Sequence, residues 1–159
     1  AVKEKYADPS FIVGYRLSPE EIEEPGITLK DTLLLVDELA KEDIDYIHLS
    51  QGNYKNTSIR DTTNTVPIIT QIKAVVKKRV ALIGAGGVSS AEVAEDALQT
   101  GYDLVALGTI ALADAQVITH LQNNEPVGKV FDRDSLLPSK LFDRIKAWGG
   151  LQEKGYTVK

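Results

Sequence analysis

The sequence predicts an α/β fold made of four strand–helix units followed by a helical tail. Two observations carry this. Four short, β-rich apolar runs recur, at Phe11–Leu17, Ile44–Leu49, Val80–Gly84 and Asp103–Gly108, and each precedes a longer stretch with helical spacing. Strands that alternate with helices read as βα units around a parallel sheet, whose buried strands appear as continuous apolar runs. Crossovers between parallel strands are right-handed. Two architectures satisfy this order: half of a (β/α)₈ barrel, or a small, open, doubly wound sheet.

The elements follow in turn. After the first run, Leu29, Leu33, Val36, Leu39 and Ala40 share one face of a helix over Thr28–Glu42. Thr28, with Asp31 three residues on, supplies its N-cap. A polar loop, Ser50–Thr65, follows the second run, then a helix near Val66–Lys77 with Pro67 in its first turn, where a missing N–H costs nothing. After the third run Ser89 or Ser90 caps a helix through Gln99, and Gly101 ends it in a left-handed conformation. The fourth run leads into a helix over Ala113–Gln122, and a last helix is expected around Leu137–Trp148, closed by Gly149 and Gly150. The expected organisation is a single piece over residues 1–159, with four βα units over about 11–123 and a tail over 124–159. The residues before Phe11 read as the end of a preceding helix and its loop. That, with the absence of methionine, suggests a piece trimmed from something longer.

Composition bounds the function. The chain has 159 residues, where a complete TIM barrel needs about 250. Lys and Arg total 18 against 23 Asp and Glu, a formal charge of −5, which argues against nucleic acid or an anionic membrane as a general partner. There is no cysteine, so a disulfide framework, a thiolate nucleophile and a thiolate metal site are all excluded. Apolar runs such as Leu104–Leu112 are too short to span a bilayer, and AVKEKYADPS lacks the apolar core of a signal peptide. A soluble, cytoplasmic chain is expected, and no metal site is read.

Three places can carry chemistry. Gly84-Ala85-Gly86-Gly87-Val88-Ser89-Ser90 lies between a strand and a helix, where glycines let backbone N–H groups approach a phosphate. The competing reading is a tight βα turn with purely steric needs. Gly108-Thr109 follows the next strand, and the last two units of a barrel are where such folds often build a phosphate site. Arg16 sits inside an apolar strand. It is either a cation facing an electron-rich ligand or one half of an ion pair with the acids of Glu20–Glu24, a run otherwise read as a solvated loop. His48 reads as a packed or edge histidine. Tyr54, Arg60 and Asp61 lie in the long loop, in position either to touch substrate or to face solvent.

The segments FIVGYRLSPEEIEEPGIT, DYIHLSQGNY and ALIGAGGVSSAEVAEDALQTGYDLVALGT, with the ALAD that follows, resemble bacterial NADH-dependent flavin oxidoreductases of the old yellow enzyme family. The resemblance runs from about Phe11 to the C-terminus. It implies that this is the C-terminal half, (βα)₄, of a TIM (β/α)₈ barrel plus a helical tail. It also implies FMN as cofactor, NAD(P)H as reductant and an enone-type alkene as substrate. By that resemblance Arg16 lies beside the flavin pyrimidine ring, where a cation favours the charge gained on reduction. Gly86 and Gly87 match one phosphate turn and Gly108 the other. Relatives carry arginine where Thr109 stands, so a bidentate contact becomes at most one hydroxyl bond, a deficit on the order of 1–3 kcal/mol. The family's substrate-anchoring pair and its proton-donating tyrosine belong to the first half of the barrel, so no catalytic residue is assigned. The missing N-terminal half is the implied partner, and a chain with exposed sheet edges is expected to self-associate. The alternative is a stand-alone half-barrel that binds a phosphorylated ligand or a partner chain without catalysis.

Overall fold

A computed structural model describes Lys5, residues 10–134 and residues 138–159. The reading made for the residues before Phe11 therefore falls largely outside the described part, as does Leu137. Two compact units are distinguished: one formed by the chain up to Val88 with Val93–Ala106, the other by Ser89–Glu92 with Leu107–Lys159.

The first unit holds four parallel strands, β1 (Gly14–Leu17), β2 (Tyr46–Ser50), β3 (Ala81–Ala85) and β4 (Leu104–Ala106), in the spatial order β1-β2-β3-β4. Sequential order is what a partial barrel has. It removes the doubly wound alternative, in which the strand order reverses part-way. The register pairs Arg16 with His48, His48 with Ile83, and Ile83 with Leu104.

Alternation then sorts the side chains by face. Ile47, Leu49 and Leu82 point to one side and are buried. Arg16, Tyr46, His48, Ser50, Ala81, Ile83, Ala85 and Leu104 point to the other, and none of them is fully buried. Burial is thus one-sided in a parallel sheet, which ordinarily is covered on both faces.

Three helices alternate with these strands. Helix α1 (Leu29–Leu39) starts with a reciprocal capping box: Asp31 N–H donates to Thr28 Oγ1 at 3.2 Å, and Thr28 N–H donates to Asp31 Oδ2 at 3.1 Å. Its Val36 is fully buried, and the Thr32 hydroxyl donates to the Pro19 carbonyl at 2.7 Å. Helix α2 (Ile68–Val76) takes Pro67 as its N-cap, buries Ile68, Ile69, Ile72 and Val76, and ends on Lys77 in the left-handed region. Helix α3 (Ala91–Thr100) ends at Gly101, whose φ of +134° only glycine adopts readily.

In the second unit a separate short helix, α4 (Thr109–Ala113), comes first, and the helix expected over Ala113–Gln122 begins only at Val117, as α5 (Val117–Gln122). Asp114 separates them. Its backbone is extended and its carboxylate accepts the N–H groups of Gln116 at 2.9 Å and Gly128 at 2.7 Å, and bonds His120 Nδ1 at 2.7 Å. A short acidic side chain that captures nearby backbone donors competes with the helix.

Beyond it, β5 (Val130–Phe131), α6 (Ser139–Lys146) and β6 (Thr157–Val158) make a small βαβ unit with parallel pairing. Phe131, Phe142, Ile145, Leu151 and Tyr156 form its core. The tail expected to hold one helix thus holds a strand pair as well.

Candidate functional site

In each strand unit the side chains available to a ligand are those on the open face and at the strand's C-terminal end. On β1 that residue is Arg16. Its guanidinium is exposed and donates to Ser50 Oγ at 2.7 Å. Among the described residues it makes no salt bridge. Three of the four acids offered as its alternative partners are engaged elsewhere. Glu20 accepts from Ser58 Oγ at 3.0 Å and from Ile59 N–H at 2.6 Å. Glu21 accepts from Ile27 N–H, and Glu24 pairs with Arg60. Arg60 also donates to the carbonyls of Glu21 and Glu23.

The acidic run is exposed over residues 21–24, as a solvated loop is, and it also fastens the long β2–α2 loop to the β1–α1 loop. Arg16 keeps its charge, bonded to a neutral hydroxyl.

His48, its register neighbour, is partly buried. Burial holds its imidazole pKa below the ordinary value, and the adjacent Arg16 charge pushes it the same way. Its Nε2 is buried with no hydrogen-bond partner among the described residues. An unsatisfied buried polar atom costs about 1–3 kcal/mol and so calls for a water or a ligand.

At the end of β3, Gly86 has φ +135° and Gly87 φ +73°. The two glycines are required for different reasons. A Cβ on Gly86 would lie 2.5 Å from the Gln51 carbonyl oxygen and 2.9 Å from Asn53 N, so the loop after β2 leaves no room for one. Gly87 is exposed, and its Cβ would meet nothing closer than 3.8 Å. Its conformation demands glycine, and the space beside it is open to a ligand.

In the second unit, Gly108 is the N-cap of α4 with no side-chain cap bond, and a Cβ there would touch nothing within 4 Å. Among the described residues nothing crowds that position, so they show no steric need for a glycine there. Thr109, half-buried, is the first residue of α4.

Tyr54, Arg60 and Asp61 are not aimed at a ligand. Tyr54 is buried and its hydroxyl donates to Asp96, which also pairs with Lys55 Nζ at 2.6 Å. Asp61 accepts from the N–H and hydroxyl of Thr63 within its own turn. Sequence reasoning missed Ser50. The signal was available: Ser50 lies two residues beyond His48, on the same face of β2, at the strand end.

The profile of the NADH:flavin oxidoreductase / NADH oxidase family matches residues 1–127, well over half of the chain. The chain belongs to this family. Membership implies FMN as cofactor and a nicotinamide as reductant, and within the first unit the exposed cation, the orphaned His48 Nε2 and the open Gly87 fit an anionic, ring-bearing ligand.

Among relatives, the NADH:acrylate oxidoreductase of Vibrio harveyi is 37% identical over 134 residues, covering 82% of this chain and 13% of its own length. The NADH:fumarate oxidoreductase of Klebsiella pneumoniae (strain 342) is 43% identical over 112 residues, 69% of this chain and 12% of its own. A probable NADH-dependent flavin oxidoreductase of Bacillus subtilis (strain 168) is 37% identical over 110 residues, 69% of this chain and 30% of its own. The chain thus spans about an eighth of the first two relatives and under a third of the third. Among the described residues no helix is long and apolar enough to cross a membrane.

Proposed function

We propose that this chain is the second half of a (β/α)₈ barrel in a longer, cytoplasmic NAD(P)H oxidoreductase of the old yellow enzyme type, and that it supplies part of that enzyme's FMN site. The observation that carries the reading is Arg16. A charged side chain on the open face of a parallel sheet, bonded only to a hydroxyl, is a full cation held ready for an electron-rich partner.

When bound, FMN takes hydride from NAD(P)H and gives it up to an acceptor. Arg16 would bind the pyrimidine edge of the ring and, by its charge, favour the reduced state. Ser50 orients the guanidinium. Gly86 and Gly87 would present backbone N–H groups to the phosphate. Gly108 and Thr109 are proposed as further cofactor contacts, Thr109 offering one hydroxyl where the family resemblance implies a guanidinium.

The acceptor is proposed to be an activated alkene of the enone type. The names of the two longer relatives specify acrylate and fumarate, both alkenes conjugated to a carboxylate. Their match to this chain covers an eighth of each, so the names support the substrate class without assigning its site to these residues.

The test uses the FMN-loaded full-length protein under anaerobic conditions. NADH should bleach the flavin absorbance, and an enone should restore it. Arg16→Ala should weaken FMN binding several-fold and lower the flavin's reduction potential. An unchanged potential and affinity, with lost thermal stability instead, would make Arg16 a structural residue.

A further inference from the structure

We infer that Tyr102 is a positioning residue for the Gly86–Gly87 turn, acting through the loop at residues 51–54. This rests on the reading that the turn takes the FMN phosphate.

The loop and the turn meet backbone to backbone. Tyr54 N–H donates to the Gly86 carbonyl at 3.1 Å, and Gln51 N–H donates to the Ala85 carbonyl at 3.3 Å. No side chain lies between them, since even a Cβ on Gly86 would collide with Gln51 and Asn53. Any displacement of the loop is therefore passed directly to the turn. The turn has little stiffness of its own, because its two glycines are the residues with the most backbone freedom.

Beside the bond from the Tyr54 hydroxyl to Asp96, Tyr102 holds the loop from behind. The residue is only 3% exposed. Its ring lies on Gly84, where a Cβ would sit 2.6 Å from the ring atoms, so the glycine at 84 exists to admit it. From there the hydroxyl reaches the Gln51 side-chain oxygen at 2.8 Å and the Tyr54 carbonyl at 3.1 Å, the two ends of the loop. Burial keeps that hydroxyl protonated well above the ordinary tyrosine pKa.

A hydroxyl has one proton and here faces two oxygens. Turning the Gln51 amide by 180° lets its buried, unpartnered Nε2 donate to the Tyr102 oxygen, while the Tyr102 proton goes to Tyr54. With the amide so turned, Tyr102 ties both ends of the loop to the buried face of the sheet. Neither Tyr102 nor Gln51 is on the face open to a ligand, so any effect on binding must pass through the turn.

Riboflavin isolates that effect, because it has the flavin ring of FMN without the phosphate. Both flavins are titrated into the chain, with fluorescence and the Gly87 amide resonance as readouts, and the titration is repeated with Tyr102→Phe. The ring on Gly84 is kept in that variant and only the hydroxyl is lost.

The expected result is a loss of FMN affinity of roughly fivefold, the worth of one buried hydrogen bond, with riboflavin affinity unchanged. Equal losses for both flavins would show a merely structural tyrosine, and no loss for either would show that the clamp is not needed. Both results overturn the inference. If Tyr102→Phe does not fold, Gln51→Ala removes a partner of the same clamp and is judged by the same ratio. The underlying reading fails separately: an unaltered chain that binds FMN no better than riboflavin, or whose Gly87 amide ignores FMN, has no phosphate turn there.

Discussion

At the scale of single residues, Asp114 shows how one side chain fixes a stretch of chain that periodicity alone misassigns. The helical spacing over Ala113–Gln122 is real, yet the helix there begins only at Val117, because at Asp114 a buried carboxylate collects two backbone N–H groups and a histidine nitrogen. The N–H of Gly128 does most to hold its pKa below the ordinary carboxylate range, followed by His120 and Gln116. A carboxylate whose folded pKa is depressed stabilises the fold above its unfolded pKa, about 3.9, and that contribution disappears as pH falls through the lower folded value. Asp114→Asn should therefore cost about 2 kcal/mol at neutral pH and flatten the acid limb of the second unit's unfolding curve. Trp148 fluorescence against pH follows it. An acid midpoint identical in the two proteins would remove Asp114 from the account. Arg16 was legible for the opposite reason. A charge inside an apolar strand is conspicuous, but only coordinates could choose between its two readings, by placing Glu20, Glu21 and Glu24 on other partners.

Among the elements, what could be read in advance was whatever depends on local chemistry. The N-cap of α1 is such a case: Thr28 and Asp31 make the reciprocal pair that their spacing implies. Thr28→Ala should lower stability by about 1 kcal/mol, and the thermal midpoint by about 3 °C, read by circular dichroism. An unchanged midpoint would mean that burial of Val36 and Leu29 alone holds the helix start. The strands are shorter than their apolar runs. Phe11–Leu17 contributes only Gly14–Leu17, since pairing requires a facing partner and β2 supplies one only from Tyr46 on. Strands β5 and β6 were not legible at all. Two residues each carry no periodicity, and what joins them is a core assembled from Phe131, Phe142, Ile145, Leu151 and Tyr156, spread over 26 positions of sequence.

For the whole molecule the deciding feature is how the polar groups near the strand ends are already engaged. Among the described residues the Tyr54 and Tyr102 hydroxyls are already committed, to Asp96 and to the loop behind the sheet, and the Tyr46 ring packs over Gly14. His48 has its Nε2 buried beside Arg16 and its protonation disfavoured. The Tyr54 and Tyr102 hydroxyls, so engaged, are not free to protonate a substrate carbon. Proximity and orientation contribute up to roughly 7–11 kcal/mol of an enzyme's advantage, and they require all reacting partners to be fixed together. The one-sided burial of the sheet leaves Arg16 in water, which weakens its electrostatic effect on any flavin bound to this chain alone. The 159-residue chain should therefore bind FMN weakly, at micromolar affinity or poorer, and oxidise NADH no faster than free FMN does when an enone is present. The comparison is direct: NADH consumption is followed with equal FMN, with and without the chain. Tight binding with turnover above the free-flavin rate would mean that these four strands hold a complete active site, and that a proton donor lies among the residues assigned here to structure.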